Sequence, residues 1–147
     1  MRLTATALLL AFVPLLGQSS DEKEVIAVVQ KTFDGMAKHD EAIIRSTMLP
    51  DARLYSIRGD AAPSAVAFDD WVKRIAAAKG ELVERFIGTP SVSIRGRMAQ
   101  LWGEYEFLRD GKFTHCGVDV ATLFKTAEGW KIASLGFTME TTGCKGR

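Results

Sequence analysis

Apolar residues recur at helical spacing in Val25, Ile26, Val29, Phe33 and Met36, a stripe that predicts a first helix ending near Lys38. Ser19 and Glu22 stand at capping-box spacing ahead of it, and Asp21 with Glu22 suits a helix N-terminus. Asp40 can cap a short second helix over Glu41–Thr47, which Pro50 ends. Arg53–Arg58, with Leu54, Tyr55 and Ile57, reads as a short strand, and Gly59–Ser64 as a loop. Phe68, Trp71, Val72, Ile75 and Ala78 form the stripe of a third helix, stopped at Lys79-Gly80. Leu82–Ile94 is a strand region broken by Gly88 and Pro90; proline cannot donate to a ladder, so this strand is bent, bulged or at an edge.

From Met98 the period changes to two. Met98–Leu108, Lys112–Lys125 and Trp130–Glu140 read as consecutive antiparallel strands joined at Asp110-Gly111 and Glu128-Gly129, dipeptides that favour tight hairpins. The expected order is α-α-β-α-β-β-β-β. This is an α+β domain in which three helices from the first half cover the concave face of a cone-shaped, curved antiparallel sheet. Such a cone leaves a cavity at its mouth, the default place for a ligand.

The first twenty of the 147 residues differ in kind. Arg2 precedes a nearly unbroken apolar run from Ala5 to Leu16, and Gly17–Ser20 is small and polar, the layout of a secretory signal peptide. The expected division is a leader over 1–20, a domain over 21–140 and a tail over 141–147, with the mature protein secreted or periplasmic and free of the membrane. Without Arg2 the formal charge falls from +1 to 0, which offers nucleic acid no electrostatic footprint. The two cysteines, Cys116 and Cys144, then invite a disulfide between the middle strand and the tail.

Strand alternation assigns faces. In the middle strand His115, Gly117, Asp119, Ala121 and Leu123 share one side, and Cys116, Val118 and Val120 the other. A two-residue turn at Glu128-Gly129 would place Trp130, Ile132 and Ser134 with the His115–Asp119 side. In the preceding strand a strict Asp-Gly turn would bring Trp102 and Glu104 beside Asp119, whereas a glycine bulge would bring Tyr105 inward. We favour Tyr105, because the polar side usually meets water.

The first helix followed by His39-Asp40, the run Leu49-Pro50-Asp51-Ala52, and the ending Leu123-Phe124-Lys125 … Gly129-Trp130-Lys131-Ile132 together resemble the nuclear transport factor 2-like superfamily. Within it, Asp119 through Ile132 is similar to the lumazine-binding family. The resemblance implies that Trp130 and Ile132 pack inward beneath the helices, so that His115 and Asp119 point into the cone. It also implies a homodimer through the outer sheet face, here expected at Val118, Val120, Leu135 and Phe137. The superfamily holds isomerases, dehydratases, cyclases and non-catalytic transport factors, and fold alone does not choose among them.

The candidate chemistry is sparse. Asp119 is a carboxylate among Val, Ala and Leu, so it must be hydrogen-bonded or shifted in pKa. His115, two positions away, could share proton transfer with it near neutral pH. Tyr55, Trp71, Tyr105 and Ser134 complete the expected pocket. No metal-ligand spacing, nucleophile motif or phosphate-binding glycine loop is present, and no cofactor is expected. The leading expectation is an exported domain binding a small, partly apolar molecule. The alternatives are a cofactor-independent isomerase, dehydratase or cyclase using Asp119, and a non-catalytic dimeric interaction module.

Overall fold

The computed structural model describes residues 18–144; the apolar part of the expected leader, up to Leu16, lies outside them. Among the described residues the chain forms α1 (Ser20–Ala37), α2 (Glu41–Thr47), β1 (Met48–Arg58), β2 (Ser64–Ala67), α3 (Phe68–Ala77), β3 (Leu82–Phe86), β4 (Ser91–Arg95), β5 (Met98–Arg109), β6 (Lys112–Thr126) and β7 (Gly129–Met139). The three helices and the long meander stand as expected. Two strands were not foreseen as such. Ser64–Ala67, of which the sequence pattern assigns only Ser64, to a loop, pairs antiparallel with Arg53–Ser56, and the Leu82–Ile94 region is two strands rather than one.

The capping box forms at the start of α1: the Glu22 amide donates to Ser19 Oγ at 3.2 Å, and the Ser19 amide donates to the Glu22 carboxylate at 2.9 Å. One face of α1 then buries Val25, Val29, Phe33 and Met36. They pack on the sheet with Phe68, Trp71 and Val72 of α3 and with Leu101, Ala121, Leu123, Trp130 and Ile132. Arg45 ties α2 to α3 through Asp69 at 2.6 Å and is braced by Glu41 at 2.7 Å.

The sheet runs β2-β1-β7-β6-β5-β3, with β4 sharing the β5 edge. It is antiparallel except that β1 and β7 pair in parallel. Gly88 and Pro90 divide the edge into β3, which pairs with Tyr105–Arg109, and β4, which pairs with Met98–Trp102. Neither residue can continue a regular ladder there: Gly88 sits at φ 82°, and proline has no amide to donate.

Two bulges decide which side chains face the helices. The Asp110-Gly111 turn is a strict two-residue hairpin with both residues at positive φ (51° and 70°) and Arg109 opposite Lys112. Alone it would turn Trp102 and Glu104 inward. Thr114 is an extra residue, however: Leu108 pairs with Phe113 but Phe107 with His115. The parity reverses, Tyr105 faces in with 1% exposure, and Trp102 faces out at 56%. The favoured orientation of Tyr105 is thus correct, through a bulge in the strand rather than in the turn.

The second bulge falls at Ala133, because Leu123 pairs with Ile132 but Thr122 with Ser134. The β6–β7 loop is Ala127-Glu128, not Glu128-Gly129. Beyond Ala133 the sides exchange. Leu135 and Phe137 point inward into the core, and Ser134 points outward opposite Thr122. This corrects two expectations. Ser134 is not on the cavity side, and Leu135 and Phe137 do not belong to the outer face. That face instead carries Val118 and Val120 with the exposed Trp102, Tyr55 and Ile57.

Cys116 and Cys144 form the expected disulfide, with Cα atoms 5.9 Å apart and a sequence separation of 28. The Cys116 amide also donates to the Glu140 carbonyl, and the Glu140 amide to the Cys116 carbonyl, so the tail is tied twice. Reducing the bridge should lower the free energy of unfolding by roughly 3–4 kcal/mol, the loop-closure entropy of a span of this length. Urea unfolding with and without reductant measures this; a midpoint unmoved by reduction would contradict it.

Candidate functional site

Beneath the helices, at the open end of the sheet, lies a chamber of about 190 Å³. Met36 of α1 and Trp71 and Ile75 of α3 form its roof; Leu135, Phe137 and Met139 of β7 line one wall. Glu84, Tyr105, Phe107 and His115 line the other. A wider vestibule of about 530 Å³ adjoins it, sharing Trp71, Ile75, Phe137 and Met139 and adding β1, the β2 segment and two arginines, Arg58 and Arg74.

Asp119 sits behind the chamber wall, fully buried, with Gly103 beside it on β5 and Phe137 on β7. No N–H or O–H donor among the described residues reaches either of its carboxylate oxygens. The group that acts on it most strongly is another carboxyl, Glu84. Two carboxylates cannot both be ionised in contact inside an apolar wall, so the pair must hold a proton. Burial pushes Asp119 well above the usual carboxylate range, and the charge of Glu84 and their mutual bond push it further. Burial likewise raises Glu84, to about 7, with the bond from Asp119 pulling the other way. The two carboxyls therefore titrate as a coupled pair rather than as separate groups, with the first step toward neutral pH.

Two glycines near Asp119 make room for other groups of the wall. A Cβ at Gly103 would come within 2.6 Å of the Phe86 ring. A Cβ at Gly117 would strike the Thr138 backbone carbonyl. That carbonyl accepts the Tyr105 hydroxyl at 2.6 Å, which fixes the tyrosine in the wall. Burial, then the charges of Glu84 and Asp119, raise the Tyr105 phenol, so it stays a neutral donor.

His115 stacks on Phe107 with ring centroids 5.0 Å apart and meets the edge of Tyr105 at 5.8 Å. Burial, and then the charge of Arg58, lower its pKa, so the ring is neutral at pH 7. Thr114 Oγ1 donates to the Phe107 carbonyl at 3.1 Å and lies 2.8 Å from His115 Nδ1. With that hydroxyl proton committed, Nδ1–H donates to Thr114 and Nε2 is left as an acceptor.

The expected pocket residues divide accordingly. Trp71, Tyr105 and His115 line the chamber, and Asp119 lies one layer behind it. His115 and Asp119 share the inner face, but their expected pairing is replaced by Asp119–Glu84 and His115–Thr114 contacts. Tyr55 has outward parity, opposite Gly136, is 46% exposed and edges the vestibule and the outer groove but not the chamber. Ser134 is outside altogether. Glu84 is the residue that sequence reading missed. Its signal was available: in Leu82-Val83-Glu84-Arg85-Phe86 a carboxylate alternates with two large apolar residues on one side. No group of three or more metal-ligating side chains occurs among the described residues, and no helix there is long and apolar enough to cross a membrane.

The family model described as "Putative lumazine-binding" matches residues 20–138, nearly the whole described chain. The chain belongs to this family. Its fold is that of the nuclear transport factor 2-like superfamily. A superfamily member from Salmonella enterica superposes with a TM-score of 0.69 at 11% identity, covering 87% of this chain and 96% of that one. A cystatin-like protein of unknown function from Nostoc punctiforme gives 0.69 at 10% identity, covering 85% and 95%. A third, from Novosphingobium aromaticivorans, gives 0.66 at 13% identity, covering 84% of each. At these identities the likeness shows the fold. A comparison with curated proteins finds no match. The lumazine-binding-like domain thus presents an apolar chamber with Glu84 in its wall and the buried Asp119 behind it.

Because both carboxyls have raised pKa values in the folded state, the folded chain binds more protons than the unfolded one above the ordinary carboxylate range. The pair's contribution to stability is therefore full at low pH and falls as pH rises, first as the unfolded carboxyls ionise and then through about 7 and beyond. His115, whose pKa is lowered, acts in the opposite direction, but only below its ordinary value of 6.5. Between pH 6.5 and 9 the retained proton should lower the unfolding free energy by up to about 1.4 kcal/mol per pH unit. Asp119→Asn should flatten that slope. Parallel curves for the two proteins in urea unfolding would contradict the shared proton.

Proposed function

We propose that this exported domain binds a small, largely apolar molecule in the chamber and vestibule, with a hydrogen-bond acceptor of the ligand directed at the Glu84–Asp119 pair. The observation that carries the reading is Asp119, a fully buried carboxyl that no donor among the described residues satisfies, one layer behind an apolar chamber that Glu84 lines. A structural carboxylate would be expected to have backbone or hydroxyl donors. The family's lumazine-binding description and its fold support small-molecule binding, and the disulfide suits an oxidising compartment.

A second reading has its own observation. Glu84, pushed up to about 7, can give or take a proton at neutral pH, which is the requirement for a general acid or base. Tyr105 and neutral His115 stand in the same wall. An enzyme moving a proton next to a carbonyl would use Glu84 as the proton-transfer group and Asp119 as the group that holds its pKa. This transfers the role first expected of Asp119 to the residue that touches the chamber.

The methionine methyl signals test the binding reading without altering the site. Met36 and Met139 line the chamber, whereas Met98 is 47% exposed and lines none of it. A library of small aromatic and alicyclic carbonyl compounds should yield binders that shift the Met36 and Met139 signals and leave Met98 unmoved. An empty screen, or shifts confined to Met98, would contradict a ligand in the chamber. If any binder is turned over, Glu84→Gln should lower kcat by at least about 100-fold; unchanged turnover removes the enzymatic reading.

A further inference from the structure

The vestibule has a polarity opposite to that of the chamber wall. Arg58 ends β1 on its inward parity, beside Met139, and the one hydrogen bond of its guanidinium among the described residues is to Met139 Sδ at 3.5 Å. Arg74 lies one turn after Trp71 on α3 and faces the same vestibule. Neither guanidinium is in ion-pair contact with a carboxylate among the described residues. Arg45 and Arg85 show the contrast, since each is used to hold elements together, on Asp69 and Glu106. No acidic side chain lines the vestibule; its other polar contributions are the hydroxyls of Tyr55, Ser56 and Ser64.

We infer that the ligand is an amphiphilic anion: a carboxylate, sulfonate or phosphate seated between Arg58 and Arg74, with an apolar body passing under Trp71 and Ile75 into the chamber. This deepens the binding reading above and rests on it. The two ends of the cavity fix the ligand's direction. An anion at the inner end would face a carboxyl pair that already carries negative charge above neutral pH. At the outer end it meets two guanidiniums in partly exposed positions, where a fork of N–H donors suits an oxyanion. The vestibule is large enough for a ring-sized headgroup region, and the chamber of about 190 Å³ admits only the narrow apolar end. A neutral hydrocarbon would leave both arginines unused, and a cation would be repelled by them.

Two fluorescent probes with one body separate the anion from the apolar part. 8-Anilinonaphthalene-1-sulfonate and N-phenyl-1-naphthylamine differ only in the sulfonate. The wild-type chain should bind the sulfonate at least about tenfold more tightly, the difference expected from charge-assisted hydrogen bonds. Arg58→Gln and Arg74→Gln should each reduce that preference, and the double variant should remove it while leaving the neutral probe unchanged. Both positions are exposed, so folding is not at stake. Arg53→Gln, on the outward side of the same strand, should change nothing. Equal affinity for the two probes, or equal loss from Arg53→Gln, overturns the anion inference and leaves the pocket standing. Failure of both probes to bind overturns the pocket and the inference together.

Discussion

One proton shared by two buried carboxyls sets the conditions for the rest of the site. Glu84 reaches from the edge strand and Asp119 from the middle of the sheet, and no donor among the described residues reaches the Asp119 carboxyl to hold it ionised. Burying an isolated carboxylate in an apolar wall is very costly, so the protein keeps one neutral and lets it donate to the other. A core selected only for stability would place a leucine at 119. Retaining an acid there costs stability at neutral pH, and that cost is the physical reason to read the position as functional.

The surrounding fold is arranged to bring those two groups together and leave space in front of them. Gly103, opposite Asp119 on β5, and Gly117, two residues before it on β6, leave room for the Phe86 ring and the Thr138 backbone. The gap at Gly117 admits the Thr138 carbonyl that anchors Tyr105. The break at Gly88 and Pro90 frees β3 to follow the lower half of β5, which sets Glu84 opposite Phe107 and inside the cone. Helices α1 and α3 roof the cavity without filling it, and the disulfide binds the tail on the other side of the sheet, away from the chamber.

Much of this was legible in the sequence. Helical stripes, caps and the meander were plain because local periodicity and turn chemistry agree there. The family resemblance rested on the same segments. The facing of side chains was not legible beyond the bulges. Thr114 and Ala133 look like any other strand residues, yet each reverses the strand beyond it. The first bulge brought Tyr105 to its favoured side. The second moved Ser134 out and Leu135 and Phe137 in. β2 was hidden because Ser64–Ala67 has no apolar alternation of its own and is recruited only by β1. Glu84 was hidden for a different reason: its strand is only five residues long and is cut off by Gly88 and Pro90, so an acid between apolar neighbours there does not stand out as a pattern.

The carboxyl carbons of Glu84 and Asp119, followed by ¹³C NMR from pH 3 to pH 10, test the shared proton most directly. The account predicts no ionisation of either group near pH 4, a first step near 7 seen at both carbons, and a second step at higher pH carried mainly by Asp119. Two independent titrations in the ordinary carboxylate range would mean that both groups are solvated and ionised, and the central claim would be wrong.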